Sequence, residues 1–367
     1  MRIAQIAPLY ESVPPQGYGG TERVVSYLTE KLVELGHDVT LFASGDSGTM
    51  ARLVAGAPQA LRLSRYHGDA LVPHLVMLEQ AFAHCDDFDV VHSHVDVLSL
   101  PFARRAGLPV VTTLHGRLDL EELVALYDEY AEQPVVSISE SQREPIPQAR
   151  WVGTVHHGLP VNLYRFHPEP GRYLAFIGRA SPEKRLDRAI EIALRARRTL
   201  KIAVKVDKAD RQYFRTEIEP LLNHPLLEWV GEVNDDAKDE FLGGAEALLF
   251  PIDWPEPFGL TMIEAMACGT PVIAWQHGSV AEVLEHGVTG FLCDDIGAAV
   301  RAVKRLERLS REVCRQVFEK RFTSDRMAHD YVTIYERLIA EHAGETARRG
   351  AGVRVEHAAP VAPGRDH

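Results

Sequence analysis

Short apolar runs alternate with longer amphipathic stretches along nearly the whole of this 367-residue chain. Strands that are buried on both faces read as continuous apolar runs, so this alternation is typical of β-α units that build parallel sheets. The first unit is a predicted strand at Ile3–Ala7, followed by a helix from about Thr21 that Gly36 ends. The sequence therefore predicts an α/β protein.

The alternating pattern runs in two series, separated by the polar, proline-containing segment Gly158–Gly171. Each series predicts a doubly wound parallel sheet, so we expect a first domain at 1–165 and a second at 166–323. A C-terminal helix at 324–343 is expected to return to the first domain. The predicted strands are Ile3–Ala7, Val39–Ala43, Val90–His92, Val110–Leu114, Val135–Ile138 and Val152–Val155, then Tyr173–Ile177, Ile202–Val206, Leu227–Val230, Ala247–Phe250, Val272–Trp275 and Gly290–Leu292.

The last part of the chain, 344–367, contains no Leu, Ile, Phe, Tyr or Trp. A segment of this composition cannot bury enough apolar surface to offset the conformational entropy that it would lose on folding. We therefore predict a disordered tail.

Composition excludes several classes of protein. The 40 basic and 52 acidic residues give a formal net charge of −12, which argues against general nucleic-acid binding. The four cysteines form no CxxC pair and predict neither a disulfide framework nor a zinc module. No apolar stretch approaches the roughly 18 residues of a membrane helix, and the amino terminus lacks the apolar core of a signal peptide. We therefore expect a cytoplasmic protein, with a peripheral membrane contact left open.

Two facing parallel sheets enclose a cleft at the carboxyl ends of their strands, where open α/β sheets bind ligands. The first loop at this edge, Pro8–Gly20, is long and ends with Gly19-Gly20 at a predicted helix start. Glycine lets the backbone approach a ligand closely, and the free amides of a helix start attract negative charge. The spacing is neither GxGxxG nor a P-loop, which disfavours dinucleotide redox enzymes and P-loop ATPases. The alternative is that both glycines serve only the turn.

A charged turn follows the predicted strand Tyr173–Ile177 and reads GRASPEK. Ser181 is predicted to cap a helix that has Pro182 at its first position. Arg179 and Lys184 would then lie at a helix amino terminus, where cations are unfavourable unless an anion lies between them. A diphosphate bound by both side chains satisfies this arrangement. The alternative is a pair of freely solvated surface cations.

The segment Glu256–Pro271, EPFGLTMIEAMACGTP, predicts a short helix that begins at Phe258-Gly259. Glu264 lies in the middle of this helix among apolar residues, where a carboxylate needs partners. The hydroxyl groups of a bound ribose would supply them, and the alternative is a buried salt bridge to a core arginine. Glu256, ahead of the helix, is expected in the cleft within reach of a sugar.

In these segments the chain resembles the retaining nucleotide-sugar glycosyltransferases of family 4, which share the two-domain GT-B fold. Glu256 and Glu264, separated by PFGLTMI, are similar to the paired glutamates of the family's E-x7-E signature. The resemblance covers nearly everything from Met1 to about Leu338. Its other elements are Gly19-Gly20, TLHG at Thr113–Gly116, GR and EK within Gly178–Lys184, and GVTGF at Gly287–Phe291.

The resemblance also implies roles for single residues. Arg179 and Lys184 would neutralise the donor diphosphate, which makes a bound metal or other cofactor unnecessary. Glu264 would accept hydrogen bonds from the ribose, Glu256 would bind the transferred sugar, and His115 would lie near the reacting carbon. Further donor contacts are implied for Gly19, Gly20, Gly178 and the backbone amides of Phe258, Gly259 and Leu260, and contacts to the base for Val230, Gly231 and Val233.

Two departures from the family pattern concern the donor pocket. Many relatives have His-Asn-Gly where this chain has His156-His157-Gly158, and a double glycine where it has Gly278-Ser279. The resemblance therefore does not predict which sugar is transferred. His92 and His94 could share a metal if both face one side of a strand, but no further ligands accompany them, and a place on the cleft wall or in the core is favoured.

Together these features predict a retaining glycosyltransferase that transfers a hexose from a UDP- or GDP-sugar to a hydroxyl group of a glycan, a lipid or a small metabolite. The sequence offers no convincing covalent nucleophile, so we expect the leaving diphosphate to guide attack on the same face of the sugar. Two alternatives stay open, an NDP-sugar epimerase of the same architecture and a non-enzymatic two-lobed sugar-binding protein. The missing signal peptide counts against the second alternative.

Overall fold

The structure, a computed structural model, describes residues 1–352 apart from Tyr18, Arg65 and His67. Within this range the chain forms two parallel-sheet α/β domains of the GT-B type, which confirms the predicted fold class. Part of the predicted tail, 344–352, is helical and extends the last helix. The rest of that tail, 353–367, lies outside the described residues.

The first domain is built on a seven-stranded parallel sheet. Its strands are β1 (Arg2–Ile6), β2 (Asp38–Ser44), β3 (Arg52–Ala57), β4 (Val90–Ser93), β5 (Val110–Thr113), β6 (Pro134–Ser137) and β7 (Arg150–Thr154). They lie in the order β3-β2-β1-β4-β5-β6-β7, so the direction of winding reverses between β1 and β4. Its helices are α1 (Gly20–Glu34), α2 (Leu71–Ala83), α3 (Leu100–Ala103) and α4 (Glu121–Glu129).

The second domain repeats this plan with six strands. They are β8 (Tyr173–Arg179), β9 (Thr199–Lys205), β10 (Leu227–Trp229), β11 (Ala247–Phe250), β12 (Val272–Trp275) and β13 (Gly290–Cys293). Their order is β10-β9-β8-β11-β12-β13, with the reversal between β8 and β11. The helices are α5 (Leu186–Ala196), α6 (Arg211–Tyr213), α7 (Asp235–Gly243), α8 (Leu260–Ala267), α9 (Val280–Val283), α10 (Ile296–Val303) and α11 (Arg311–Arg321).

The central strands of the second sheet are buried on both faces, which explains why they read as unbroken apolar runs. Every residue of β11 and β12 is buried. The amphipathic α5 packs with α10 over one apolar cluster, and α8 packs with α11 over another. Helices on both faces leave the carboxyl edge of the sheet as the place where its loops can meet a ligand.

The last helix, α12 (Ser324–Gly352), packs against α1 of the first domain. Its residues Met327 and Tyr331 are buried in one apolar cluster with Ile3 and Leu28. The first domain is therefore completed by the end of the chain, as the sequence predicts. None of the helices described is both long and apolar enough to cross a membrane.

The connecting segment 155–172, which contains the predicted division at 165/166, crosses the start of α12 at close range. The N–H of Leu159 donates to the carbonyl oxygen of Phe322 at 2.9 Å, and the N–H of Ser324 donates to that of Leu159 at 2.8 Å. A Cβ on Gly158 would lie 2.1 Å from the Thr323 carbonyl oxygen, so only glycine fits at the crossing.

Two elements differ from their predictions. The edge strand β3 is not predicted, because RLVAGA contains a glycine that weakens the strand pattern. That glycine, Gly56, packs so closely on α2 that a Cβ would lie 2.6 Å from Met77 Sδ. The predicted helix end at 343 is wrong, because a single glycine at 344 does not stop a helix that good helix formers continue.

Candidate functional site

A cleft of about 880 Å³ lies between the two domains, at the carboxyl edges of both sheets. Val230 and Gly231, which follow the end of β10, are not among its lining residues, and Val230 is 41% exposed. The other residues singled out in the sequence do line it, namely Gly19, Gly20, His115, Gly178, Arg179, Lys184, Val233, Glu256, Phe258, Gly259, Leu260 and Glu264.

Glu256 and Lys184 form an ion pair in the cleft. Lys184 Nζ lies 2.5 Å from Glu256 Oε2, and Trp254 Nε1 donates to the same oxygen at 3.1 Å. Only 15% of the Lys184 side chain and 10% of the Glu256 side chain are exposed, so the two charges depend on each other. Both side-chain bonds fall on Oε2, which leaves Oε1 as a further acceptor for a ligand.

The Gly278-Ser279 segment holds the backbone of Glu256 in place. The N–H of Ser279 donates to the Glu256 carbonyl oxygen at 2.9 Å. Gly278 has a positive φ of 57°, and a Cβ there would lie 2.4 Å from that same oxygen. The first glycine of the family's double glycine is therefore required in this chain, and the serine supplies the amide that fixes Glu256.

Glu264 is buried in α8 with 2% of its surface exposed. Lys238 Nζ lies 2.9 Å from its Oε1, and the Tyr164 hydroxyl donates to the same oxygen at 3.3 Å. The alternative of a core arginine is therefore wrong: the partner is a lysine, and the pair lines the cleft. Oε2 of Glu264 is itself buried and has no partner among the described residues, so it is an acceptor whose hydrogen bond is not supplied by them.

The turn after β8 differs from its prediction. Pro182–Lys184 forms a single 3₁₀ turn, and α5 begins only at Leu186. Arg185 separates the two, since it adopts the left-handed conformation with φ 53° and ψ 53°. Its guanidinium group is held there by Asp187 at 2.7 Å and Asp253 at 2.8 Å.

This geometry changes the argument for an anion at the turn. Ser181 precedes the 3₁₀ turn with Pro182 at its first position, as predicted, but makes no capping hydrogen bond. Lys184 lies next to Arg185, the residue that precedes α5, whereas Arg179 ends β8. The two cations therefore do not share one helix start as predicted, since only Lys184 is next to α5. Both cations nevertheless line the cleft, and Arg179 is 34% exposed there, with Glu183 Oε2 3.6 Å from its Nη2.

A different helix amino terminus, that of α8, lies at the cleft. Phe258, Gly259 and Leu260 line the cleft, and Gly259 precedes the helix with a φ of 80° that glycine adopts without strain. The first amides of a helix have no acceptor within the helix and attract anions. A Cβ on Gly20 at the start of α1 would lie 3.6 Å from Leu260 Cδ1, so two helix starts approach each other across the cleft.

His115 belongs to a group of aromatic rings at the cleft. It stacks on His157, with ring centroids 5.4 Å apart, and His157 packs edge-on against Phe258 at 4.9 Å. Burial lowers the pKa of His115 to about 3 and also lowers the pKa of His157. Both rings are therefore neutral at pH 7, and His115 can form hydrogen bonds with a ligand but does not supply positive charge.

His92 and His94 are buried and hydrogen-bonded behind this group. His92 Nε2 lies 2.7 Å from Thr113 Oγ1, while His94 bonds to Gln5 and to His115. Within the described residues no group of three potential metal ligands exists. The two histidines thus support the cleft wall from within, which is the alternative that the sequence favours.

The motifs do not indicate all the charged residues of the cleft, and three of those missed are Lys238, Glu22 and Asp96. Lys238 lies in the acidic stretch DDAKDE, which reads as a solvated helix. Glu22 and Asp96 are on the first-domain side, and burial raises both pKa values, that of Asp96 to about 6. Asp96 follows β4 within HSHVD, so its place at a strand end was the available signal.

The Asp96→Asn variant is expected to be more stable than the parent at pH 8 by about 1–3 kcal/mol. The raised pKa means that ionised Asp96 destabilises the folded state, while an Asn oxygen can still accept from the N–H of His115, now 3.1 Å from Asp96 Oδ1. The gain should shrink as the pH falls from 6 towards 4, because Asp96 then takes up its proton.

Urea unfolding of both proteins at pH 8 and pH 5 measures this difference. Asp128→Asn is the matched control, since Asp128 is an exposed residue of α4, and it should change the free energy of unfolding equally at both pH values. A destabilised Asp96→Asn protein at pH 8 would contradict the expectation.

Two family models match the chain in succession. The model for Glycosyltransferase Family 4 matches residues 18–144, and the model for Glycosyl transferases group 1 matches residues 165–320. Together they span both domains and the cleft between them.

Two curated relatives and one solved structure are similar over nearly their whole length. The chain is 26% identical to N-acetyl-alpha-D-glucosaminyl L-malate synthase of Bacillus anthracis, over 90% of this chain and 96% of that protein. It is 24% identical to phosphatidyl-myo-inositol mannosyltransferase of Mycolicibacterium smegmatis, over 97% of this chain and 96% of that protein. The structure of Anabaena HepE in complex with UDP and glucose is 17% identical and superposes with a TM-score of 0.69, covering 91% of this chain and 98% of that one.

Proposed function

Because the chain belongs to glycosyltransferase family 4, we propose that it transfers a hexose from a nucleoside diphosphate sugar to a hydroxyl acceptor with retention of anomeric configuration. The proposal rests on one observation, the convergence of two acidic and two basic side chains on a single interdomain cleft. These four residues are Arg179, Lys184, Glu256 and Glu264.

The donor diphosphate would bind between the two cations and the start of α8. As the bond to the sugar breaks, negative charge develops on the phosphate oxygens, and cations that are already in position stabilise it. Arg179 can contact the phosphates bidentately, whereas Lys184 supplies a point charge. Lys184 would exchange part of its contact with Glu256 for the phosphate, without a metal ion or other cofactor in our proposal.

The two glutamates would recognise the rest of the donor. Oε2 of Glu264, which has no partner among the described residues, can accept from a ribose hydroxyl, and Oε1 of Glu256 can accept from a hydroxyl of the hexose. A structure with the same fold was solved with UDP and glucose, which supports a donor of this class. The mannosyltransferase and glucosaminyl-transferring relatives also act on sugars.

Retention would follow from attack on the face that the diphosphate leaves. Glu256 and Glu264 are each paired with a lysine, and the proposal uses their remaining oxygens to bind hydroxyl groups rather than as covalent nucleophiles. We therefore propose that the departing diphosphate itself guides the acceptor hydroxyl. The acceptor would enter beside first-domain residues such as Glu22 and Asp96, which line the same cleft.

The proposal is tested by incubating the protein with UDP- and GDP-hexoses and measuring the release of nucleoside diphosphate. One donor is expected to be hydrolysed slowly without acceptor and faster when an acceptor is supplied, with retained configuration in the product by NMR. Conversion of the donor into another NDP-sugar would identify an epimerase. Binding without any turnover, across all donors and acceptors, would identify a sugar-binding protein instead.

A further inference from the structure

A series of buried hydrogen bonds leads from His115 at the cleft into the core of the first domain. Nε2 of His115 lies 2.9 Å from Nδ1 of His94, and Nε2 of His94 lies 2.7 Å from Oε1 of Gln5. Gln5 on β1 and His94 after β4 are almost fully buried. The backbone amide of His94 donates to the carbonyl oxygen of Ile6 at 2.9 Å, which fixes the two strands side by side.

The direction of these bonds determines which nitrogen of His115 carries hydrogen. An amide oxygen can only accept, so Nε2 of His94 is the donor to Gln5. Burial keeps His94 neutral by lowering its pKa, so its Nδ1 carries only a lone pair. His115 must then donate from its own Nε2 to His94. The Nδ1 atom of His115 is left as an acceptor; it is buried and has no partner among the described residues, while His115 itself lines the cleft.

The nitrogen of the Gln5 amide lies on its other side, away from His94. Its Nε2 faces two acceptors, the Tyr335 hydroxyl at 3.1 Å and His92 Nδ1 at 3.4 Å. The Tyr335 hydroxyl can in turn donate to His92 Nδ1 at 2.6 Å, and His92 Nε2 can donate to Thr113 Oγ1 at 2.7 Å. With the amide nitrogen on this side, the amide oxygen of Gln5 is directed to His94.

Resting on the proposed function, we infer that Gln5 and His94 are positioning residues that hold His115 in its Nε2–H tautomer, so that Nδ1 accepts a hydrogen bond from a substrate hydroxyl. His115 contacts the substrate, whereas Gln5 and His94 act through it. In the other tautomer Nδ1 would carry hydrogen and could no longer accept from that hydroxyl. No proton is transferred in this role, since the hydroxyl keeps its hydrogen.

The Gln5→Met variant tests the inference by removing the amide oxygen with little change in volume. Without that acceptor both tautomers of His94 and His115 become populated, and kcat is expected to fall about tenfold with the KM for the donor changed less than threefold. Tyr331→Phe is the matched control, because it removes a buried hydroxyl at the far end of the series, 2.9 Å from Thr113 Oγ1. Its kcat should stay within twofold of the parent value.

NMR of the full-length protein with ¹⁵N-labelled histidine gives a readout that a purely structural role would not change. In the parent protein the His115 signals, assigned by their loss in His115→Asn, should show protonated Nε2 and unprotonated Nδ1. Gln5→Met should show a mixture of the two tautomers, and Tyr331→Phe should show the parent pattern.

A parent protein with protonated Nδ1 would overturn the inference, as would Gln5→Met with unchanged kcat and unchanged tautomer. The NMR spectrum of the parent protein tests the tautomer of His115 even if Gln5→Met fails to fold. A protein that turns over no nucleoside diphosphate sugar would defeat the proposed function, whereas the tautomer of His115 would still be read from the spectrum.

Discussion

Replacing Lys184 by methionine is expected to lower the rate of sugar transfer by about 10²- to 10³-fold. Methionine has a similar length but no charge, so the developing charge on the diphosphate loses a partner inside a cleft where solvent screens it poorly. Because Lys184 acts on the diphosphate, the variant should also bind the free nucleoside diphosphate at least tenfold more weakly. Initial rates and isothermal titration calorimetry measure the two effects.

The Glu256→Gln variant distinguishes the role of the Glu256 carboxylate from the role of Lys184. Its amide keeps an oxygen near Lys184 but loses the charge that binds the sugar, so transfer should fall while affinity for the free nucleoside diphosphate stays within about twofold or rises. Lys320→Met is the control for the substitution itself, since Lys320 is an exposed residue of α11 away from the cleft lining. Parent-like transfer and nucleotide affinity in Lys184→Met would contradict the assignment.

The free energy of unfolding is expected to fall steeply as the pH drops below about 6.5. Burial lowers the pKa of His92, His94, His115 and His157, so the unfolded chain takes up protons that the folded chain does not. Each such histidine costs about 1.4 kcal/mol per pH unit in the window between its unfolded and folded pKa. Above pH 6.5 these histidines are neutral in both the folded and the unfolded state and cost no stability. The cost appears as the pH falls below 6.5.

Asp96 opposes this trend, because its raised pKa of about 6 lets the folded protein gain one proton in the same window. For these four histidines and Asp96 the net difference is roughly three protons, a slope of about 4 kcal/mol per pH unit, which over two pH units is comparable with the total stability of many domains. Chemical unfolding at intervals between pH 8 and 5 measures this slope.

Substitutions identify the groups responsible for the acid sensitivity. His157→Gln should reduce the slope by about 1.4 kcal/mol per pH unit, the share of one proton. His329→Gln, at an exposed position on α12, should leave the slope unchanged. A free energy of unfolding that stays constant from pH 7 to pH 5.5 would show that the buried histidines are protonated without cost, contrary to their environment.

The fold class, most of the strands and most of the cleft residues could be predicted from the sequence because they depend on local patterns. Twelve strands follow from apolar runs, and glycines at 19, 20 and 259 mark helix starts that line the cleft. The edge strand β3 escapes prediction because such strands lack the continuous apolar pattern of central ones.

The partners of the cleft residues could not be predicted, because they come from distant segments. Lys238 reaches Glu264 from another helix, and its own neighbours in sequence suggest only a solvated surface. The left-handed Arg185 likewise has one of its two carboxylate partners, Asp253, 68 positions away. The series from Gln5 to His115 depends on strand order, which places β1 beside β4 although 87 positions separate Gln5 from His92.

The return of α12 has a consequence for exchanging parts between relatives. Met327, Tyr331 and Tyr335 complete the apolar cluster around Ile3. The first domain is therefore formed by two separate parts of the sequence, one at each end of the chain. A chimera that joins two parent sequences at a single point would pack α12 of one parent against the first domain of the other. The apolar surfaces inside that domain would then not match. To exchange the second domain, two junctions should be used instead, so that one parent supplies both ends of the polypeptide.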